Sequence, residues 1–183
     1  MDDRRMVLPL ALAVLVLAGT ASSLSAGTPK HRATPKPGAL SAREAPRVNA
    51  RLTRKLRAVT WRWQVVMRRR RSRLVAPLDT RRALRFWRRE ARRVRRLAAR
   101  PPHRSGWICI HHFEGSWRDS GDPYWGGLQM DRGFMRHYAP RLLLRRGWAD
   151  RWSPLEQMWV AEHAHRGRGY TPWPNTARSC GLL

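Results

Sequence analysis

Apolar residues are spread unevenly along this chain, and the first cluster lies at its N-terminus. Arg4 and Arg5 precede an uncharged, mostly apolar run over residues 6–19, and small residues continue through Ala26. This order is typical of a secretory signal peptide, so residues 1–26 are expected to direct export. An uncleaved membrane anchor is the alternative, although the run is shorter than the about 17 to 25 apolar residues that span a bilayer.

The middle of the chain has two parts: a first part without regularly spaced apolar residues, and a second part in which apolar residues recur at helical spacing. Residues 27–46 contain several prolines and no apolar periodicity, which predicts a disordered, proline-rich linker. Within residues 47–104, apolar residues recur at helical spacing in two blocks, 52–63 and 83–98. These stripes predict two amphipathic helices, with an antiparallel pair as the suggested arrangement. Because each stripe is too narrow to form a core alone, the helices have to pack on each other or dock elsewhere.

Positive charge is concentrated in the same middle region. Residues 27–106 hold 26 lysines and arginines against three acids, which is most of the formal net charge of +26. Such a density attracts polyanions. Because export is expected, nucleic acid is not the expected partner, and residues 47–104 are predicted to bind anionic wall polymers or a membrane surface. A solvated spacer without a partner is the alternative, since arginine outnumbers lysine 35 to 3, as coding bias would produce.

The next stretch places one acid among aromatic residues and glycines. Apolar residues at helical spacing from Trp107 predict a short helix that ends near Glu114, where Gly115 can stop it. Residues 120–123 form a predicted turn, and residues 124–129 a predicted strand whose glycines leave room for a ligand near the backbone. Such a surface suits a flat, polar ligand such as a sugar.

This stretch resembles a known family. Trp107, Glu114, Trp117 and the block YWGGLQ at 124–129 are similar to the resuscitation-promoting-factor or transglycosylase-like domain of cell-wall enzymes. The resemblance covers residues 105–183, under half of the chain. It implies a small lysozyme-like fold that cleaves peptidoglycan with Glu114 as the catalytic acid.

The chain departs from the family pattern at two places. Phe113 precedes the acid where the family commonly has cysteine, and Cys109 lies five residues before the acid instead. The turn usually written TGNG is SGDP at residues 120–123. Neither departure changes Glu114 itself.

Glycoside cleavage sets chemical requirements for the neighbours of this acid. A general acid is kept protonated by apolar surroundings, which Phe113, Trp117 and Trp125 are expected to provide. Two-carboxylate hydrolysis also needs a second acid, for which Asp122 on the predicted turn is the candidate, with Asp119 and Asp131 as weaker ones. A single acid suits a lytic transglycosylase, in which the 6-hydroxyl of the muramic acid sugar attacks its own anomeric carbon. The predicted substrate-binding residues are Trp117, Tyr124, Trp125, Gly127, Gln129, Gln157 and Trp173.

The C-terminal part is expected to form a separate domain, 105–183, with a boundary near Pro101 and Pro102, where the dense positive charge ends. Its two cysteines are predicted to form a disulfide, because an exported chain with an even pair oxidises. Several helices are predicted from caps and stops, followed by an extended tail. These are Asp131 to Tyr138, Pro140 to Arg146, Pro154 to Arg166 with a capping box from Ser153 to Glu156 and a stop at Gly167, and the tail Tyr170 to Asn175; the disulfide joins Cys109 and Cys180.

The predicted fold class is α+β, mainly α: a small lysozyme-like domain with a short β-hairpin, preceded by basic helices and a signal peptide. The predicted function is an exported, wall-associated monomer that cleaves the β-1,4 MurNAc-GlcNAc bond of peptidoglycan glycan strands. The alternatives are a non-catalytic wall-glycan-binding protein retained by its polybasic helices, and an exported polyanion-binding protein. No cofactor or metal site is predicted, because the pairs His111/His112 and His163/His165 lack the usual ligand spacing.

Overall fold

The computed structural model describes residues 44–183, which belong to one compact unit. The predicted signal peptide and most of the predicted linker lie outside these residues. Within the described part, no helix combines the length and the apolar character needed to cross a membrane. The elements in chain order are α1 (Glu44–Val66), α2 (Arg81–Ala98), α3 (Arg104–Glu114), β1 (Tyr124–Trp125), β2 (Met130–Asp131), α4 (Arg132–Tyr138), α5 (Arg141–Leu144), α6 (Pro154–Arg168) and α7 (Pro174–Ser179). A short 3₁₀ turn, Ala149–Arg151, precedes α6.

This content is mainly helical with one small sheet, as the α+β, mainly α prediction stated. Helix α1 begins at Glu44, so residues 44–46 are helical although the sequence assigned them to the linker. Pro46 is compatible with this position, because the first turn of a helix does not use its backbone N–H groups for internal hydrogen bonds.

The two basic helices pack side by side, but in the same direction. The last residue of α1, Val66, and the last residue of α2, Ala98, both offer their carbonyl oxygens to side chains of α6 that lie one turn apart. The C-terminal ends of the two helices are therefore together, and the predicted antiparallel arrangement is wrong.

A long connection makes the parallel arrangement possible. Residues 67–80 return along α1. Positions 71–80 alternate between exposed and half-buried, and the Trp61 indole donates to the Ser72 carbonyl at 2.9 Å. Fourteen residues can reach at most roughly 46 Å when fully extended, whereas the 23 residues of α1 span about 34 Å. The connection is therefore long enough to bring the chain back to the start of α1 before α2 begins.

The basic helices are packed against the C-terminal part. The Trp159 indole of α6 donates to Ala98 O at 2.9 Å, and His163 Nε2 donates to Val66 O at 2.7 Å. Apolar side chains of both helices, including Val66 and Val94, belong to the same buried cluster as the core of the C-terminal part. The composition therefore changes at residues 101–102, but the packing continues across this boundary.

The hairpin is shorter than predicted. Tyr124 pairs with Asp131 and Trp125 with Met130, so only the first two residues of the predicted strand 124–129 are extended. The remaining residues form the turn, in which Gly126 has φ +72° and Gln129 has φ +45°. Glycine adopts positive φ at no steric cost, so the chain reverses where the sequence pattern indicated a continuing strand.

Local helix signals are confirmed, with small changes at the ends. Asp131 caps α4 by accepting from the Phe134 N–H at 2.7 Å. The capping box at the start of α6 is present. Helix α6 continues past Gly167 to Arg168 and ends at Gly169, which has φ +55°. Helix ends commonly differ by one or two residues from such an assignment.

Two further expectations about the C-terminal segments need correction. Helix α5 is only Arg141–Leu144, the middle of the longer helix predicted up to Arg146. The tail predicted as extended forms turns and then helix α7, in which Pro174 occupies the first helical position. Proline has the φ angle of a helix, and its missing N–H is not needed there.

The predicted disulfide is confirmed and joins two helices. Cys109 lies in the middle of α3 and Cys180 directly follows α7, with their Cα atoms 6.0 Å apart. The bond closes a loop between residues 71 positions apart, which contributes about 4 kcal/mol in the chain-entropy model. It holds α7 against the helix that ends at Glu114.

Candidate active-site cleft

A cleft of about 220 Å³ opens where α3 ends, between the hairpin and α7. Its walls come from three parts of the chain that are far apart in sequence. The lining residues are Glu114, Tyr124, Gln129, Pro172, Trp173, Pro174, Asn175 and Thr176. Four of these, Glu114, Tyr124, Gln129 and Trp173, are predicted site residues, and the structure brings them together.

Glu114 is placed by the end of its helix and by α7. It is the last residue of α3, and Gly115 follows with φ +119° and ends the helix. The Thr176 hydroxyl donates to Glu114 Oε1 at 2.8 Å. One carboxyl oxygen is therefore held by Thr176, and the side chain lines the cleft.

Gln129 is oriented by an acid outside the cleft. Its amide nitrogen donates to Asp119 Oδ2 at 2.7 Å and to the Gly126 carbonyl at 3.0 Å. Hydrogen bonds from the Gly121 backbone and from Gln129 hold the pKa of Asp119 below its usual value, so the Asp119 carboxylate stays ionised. The amide nitrogen of Gln129 is thus occupied, and its oxygen is available to accept a hydrogen bond from a ligand.

Two aromatic residues form the apolar part of the wall. Tyr124 is about half exposed, whereas Trp173 is buried, with its indole donating to the Leu128 carbonyl at 2.7 Å. The Trp173 ring packs on Trp107 and Phe134, at centroid distances of 5.2 and 5.4 Å. Trp173 is therefore a rigid wall, and Tyr124 is the ring with an accessible face.

A second cleft of about 200 Å³ adjoins the first and shares several of its walls. Tyr124, Gln129 and Trp173 line both, and the second extends to Asp131 and Arg168. A groove with two adjoining compartments can hold neighbouring units of a chain-like ligand.

The glycines of the hairpin turn accommodate the protein's own side chains. A Cβ atom at Gly126 would lie 2.5 Å from Gln157 Oε1, and one at Gly127 would lie 2.5 Å from His111 Nδ1. The expectation that these glycines leave room for a ligand is therefore wrong, because Gln157, His111 and Trp117 occupy that space.

Gln157 lies in the interior. It is fully buried, accepts from the Gly127 N–H at 2.9 Å and donates to the carbonyls of Trp117 and Ala149 at 2.9 and 2.8 Å. These bonds satisfy the backbone of the hairpin turn. Gln157 and Gly127 thus shape the cleft from behind and do not line it as the sequence analysis expected.

Two predicted tryptophans also lie outside the cleft. Trp117 stacks on His111 at a centroid distance of 3.9 Å, and Trp125 is buried beside Trp148 at 5.9 Å. Phe113 is 54% exposed. None of the three lines the cleft, so they do not provide the expected apolar surroundings of the acid. Tyr124, Trp173 and two prolines, Pro172 and Pro174, form the apolar part of the wall instead.

The candidate second acids differ in position. Asp122 is exposed, pairs with Arg132 at 2.8 Å and lines neither cleft. Asp131 lines the second cleft while one of its oxygens caps α4. Within residues 44–183, Glu114 is the one acid that lines the first cleft.

Sequence reasoning missed the α7 residues, above all Thr176. A signal was present in the predicted disulfide. Thr176 lies four residues before Cys180, and Glu114 lies five residues after Cys109. If the cysteines bridge two helices of opposite direction, residues one turn away on each side face each other.

Comparison of the chain with models of protein families, with curated proteins and with solved structures found no match. The family resemblance of residues 105–183 therefore stays a prediction. The arrangement of Glu114, Gln129 and Thr176 is the observation from which a function can be argued.

Proposed function

We propose that this chain is an exported, wall-associated enzyme that cleaves the β-1,4 MurNAc-GlcNAc bond of peptidoglycan, with Glu114 as general acid and base. The observation that carries the proposal is one carboxyl group at the end of a helix, oriented by Thr176 in a cleft with polar and aromatic walls. The resemblance of residues 105–183 to the transglycosylase-like family, and the lysozyme-like fold that it implies, support the same reaction.

The proposed reaction needs one carboxyl group and no cofactor. Glu114 Oε2 donates its proton to the glycosidic oxygen as the bond to the anomeric carbon breaks. The carboxylate then takes the proton of the 6-hydroxyl of the same muramic acid sugar, whose oxygen forms the new bond to the anomeric carbon. The product ends in a 1,6-anhydro sugar, and Glu114 returns to its protonated form.

The remaining lining residues suit a glycan strand. The exposed face of Tyr124 can stack on the apolar face of a sugar ring, and the amide oxygen of Gln129 can accept from a hydroxyl or an acetamido N–H. Trp173 provides the rigid wall between the two compartments. Adjoining sugars would lie in the first and second clefts.

The positions of the other carboxylates bear on whether the cleavage is lytic or hydrolytic. Hydrolysis requires a second carboxylate that acts as nucleophile or activates water, and Asp122 is bound to Arg132 outside both clefts. Among the described residues 44–183, the other carboxylate that lines either cleft is Asp131. It lies in the second cleft, and one of its oxygens caps α4. These positions favour the lytic reaction.

A second candidate is a non-catalytic glycan-binding protein retained at the wall by its basic helices. Most arginines of α1 and α2 remain exposed although the helices are packed on α6, so they are free to contact anionic wall polymers or a membrane surface. This candidate predicts that Glu114 can be replaced without functional loss.

Mass spectrometry of soluble products from intact peptidoglycan tests the proposal. The oxidised full chain should release anhydro-ended muropeptides, and Glu114→Gln should lower the rate by about 10² to 10⁴ while sedimentation with the wall is retained. Thr176→Val, which keeps the shape and removes the hydroxyl, should lower the rate less than Glu114→Gln does. Asp122→Asn is the matched control and should cleave like the unmodified chain.

Other outcomes point elsewhere. Reducing-ended products that disappear in Asp122→Asn would mean hydrolysis with Asp122 as the second acid. Wall binding without any products from the unmodified chain would contradict the enzyme and support the binding protein.

A further inference from the structure

Two histidines and a buried carboxylate meet on the far side of Trp107 from Trp173. Glu162 and His165 are three residues apart on α6 and so lie on one face of that helix. His103, directly before α3, completes the group. One ligand atom from each of the three residues lies within 4.8 Å of the others.

The Glu162 carboxylate is already oriented by two donors. Its Oε1 atom accepts from the Trp107 indole at 2.8 Å and from the backbone N–H of His103 at 2.7 Å. Its Oε2 atom lies 3.0 Å from His103 Nδ1. One oxygen is therefore held by neighbours, and the other points at the histidines, as in metal sites whose carboxylates are held by outer hydrogen bonds.

The two imidazole rings are close and accessible. Their centroids are 3.9 Å apart, and the His103 side chain is 42% exposed, so an ion from solvent can reach it. Imidazole ligates metals through a ring nitrogen that carries no proton, and each of the two rings offers one such ligand atom.

We propose that His103, Glu162 and His165 form a zinc-binding site that leaves a fourth coordination position open to water. Two imidazole nitrogens and one carboxylate oxygen are a ligand set that Zn²⁺ takes, at distances near 2.0 to 2.2 Å. Tetrahedral zinc places its ligand atoms about 3.4 Å apart, so the three ligand atoms, now within 4.8 Å of one another, have to move closer when the ion binds. The proton now between His103 and Glu162 would leave when the ion binds.

The position of the site indicates a structural effect. His103 lies at the junction between the basic helices and α3, whereas Glu162 and His165 lie near the end of α6. An ion held by all three would tie this junction to the central helix. The site shares none of its three residues with the cleft, so the inference does not depend on the proposed enzyme function.

Titration of the chelator-treated, oxidised full chain with Zn²⁺ alone tests the proposal. Isothermal titration calorimetry at pH 7.5 should show saturable binding of one ion per chain, and the melting temperature should rise with Zn²⁺. Both His165→Gln and His103→Gln should weaken binding by about tenfold or more. His112→Gln removes an exposed histidine of α3 outside the group and should bind like the unmodified chain.

Three results would overturn the proposal: no saturable binding to the unmodified chain, equal affinity in both group variants, or loss of binding in His112→Gln. Circular dichroism shows whether each variant is folded. If His165→Gln is unfolded, the Zn²⁺ affinity of His103→Gln tests the proposal. This variant should fold, because the His103 side chain is 42% exposed and the backbone N–H of residue 103 still donates to Glu162. Visible absorption after Co²⁺ substitution checks the coordination number: an intense band is expected for four ligands, and a six-coordinate spectrum contradicts the site.

Discussion

The basic helices and the C-terminal part are built by opposite means. Residues 44–98 contain two long, regular helices whose apolar stripes face inward and most of whose arginines are exposed. Residues 104–183 form short elements that are joined by buried polar side chains. The difference teaches that a region with the composition of a surface-binding tether can also be part of the core.

Nearby acceptors and an aromatic ring reduce the repulsion among the arginines of the helix pair. Glu90, one of only three acids between residues 27 and 106, accepts from Arg93 and from Ser72 on the returning segment. The hydrogen bond from Arg93 is the main reason why the pKa of Glu90 is lowered, although partial burial opposes it. Arg57 and Arg71 lie over the Trp61 ring at 4.8 and 5.6 Å. Cation–π contacts therefore supplement the few available acids.

Helix α6 connects the two regions through buried polar residues. Glu156 accepts from Arg62 of α1, Gln157 binds the hairpin turn, and Glu162 binds the start of α3. Burial would raise the pKa of Glu156, but hydrogen bonds from Ser153 and Arg62 outweigh it and lower the pKa. Each of these side chains fixes a different element against the same helix.

Removing the helix pair should have the largest effect on stability. A fragment of residues 103–183 loses the packing of Val66 and Val94 and leaves the Trp159 indole without its acceptor. The loss should be several kcal/mol, comparable with the whole stability of a small domain, so the fragment should show no cooperative urea unfolding. A fragment of residues 40–183 keeps both helices and should unfold cooperatively. Native-like stability of the shorter fragment would show that the two regions are independent.

His163 should make the contact between the regions sensitive to acid. Burial lowers its pKa to about 4, despite its hydrogen bond to Val66 O, whereas the unfolded value is about 6.5. Between these values the unfolded chain binds more protons, so the free energy of unfolding should fall by about 3 kcal/mol as pH drops from 6.5 to 4. Urea unfolding across this range measures the slope.

His163→Gln keeps a donor for the Val66 carbonyl and cannot titrate in this range, so the slope attributed to His163 should disappear. His137→Gln removes an exposed histidine and should keep the slope. An unchanged slope in His163→Gln would assign the acid sensitivity to other groups.

The stability lost on replacing a single arginine should depend on whether that arginine contacts the buried Glu156 or only solvent. Arg62→Gln removes a donor from the buried Glu156, while Arg146 remains as its second partner at 2.9 Å. We expect a loss of about 1 to 2 kcal/mol. Arg92→Gln, on the exposed side of α2, should change stability by less than about 0.5 kcal/mol. Equal losses in thermal unfolding would remove the distinction between inward and outward arginines.

Sequence reasoning was most accurate where the signal is short-range. The cap at Asp131, the capping box at Ser153 and the helix that ends at Glu114 depend on residues within about one turn of each other. It was least accurate at the hairpin, where a positive φ at Gly126 ended the predicted strand after Trp125. The Gly126 N–H donates to the carbonyl of Asp119, seven residues away.

The sequence by itself determined every helix except α7, the pairing of Cys109 with Cys180 and the position of Glu114 at a helix end, because periodicity, caps and an even cysteine count are local or compositional. Only the tertiary structure decided the parallel direction of the basic helices, the interior place of Gln157, and the approach of Thr176 to Glu114. Each of these depends on contacts between distant residues, such as the hydrogen bond between His163 and Val66, 97 positions apart. These contacts are stabilised by burial in a shared core, and the spacing of residues along the chain does not show which distant residues share that core.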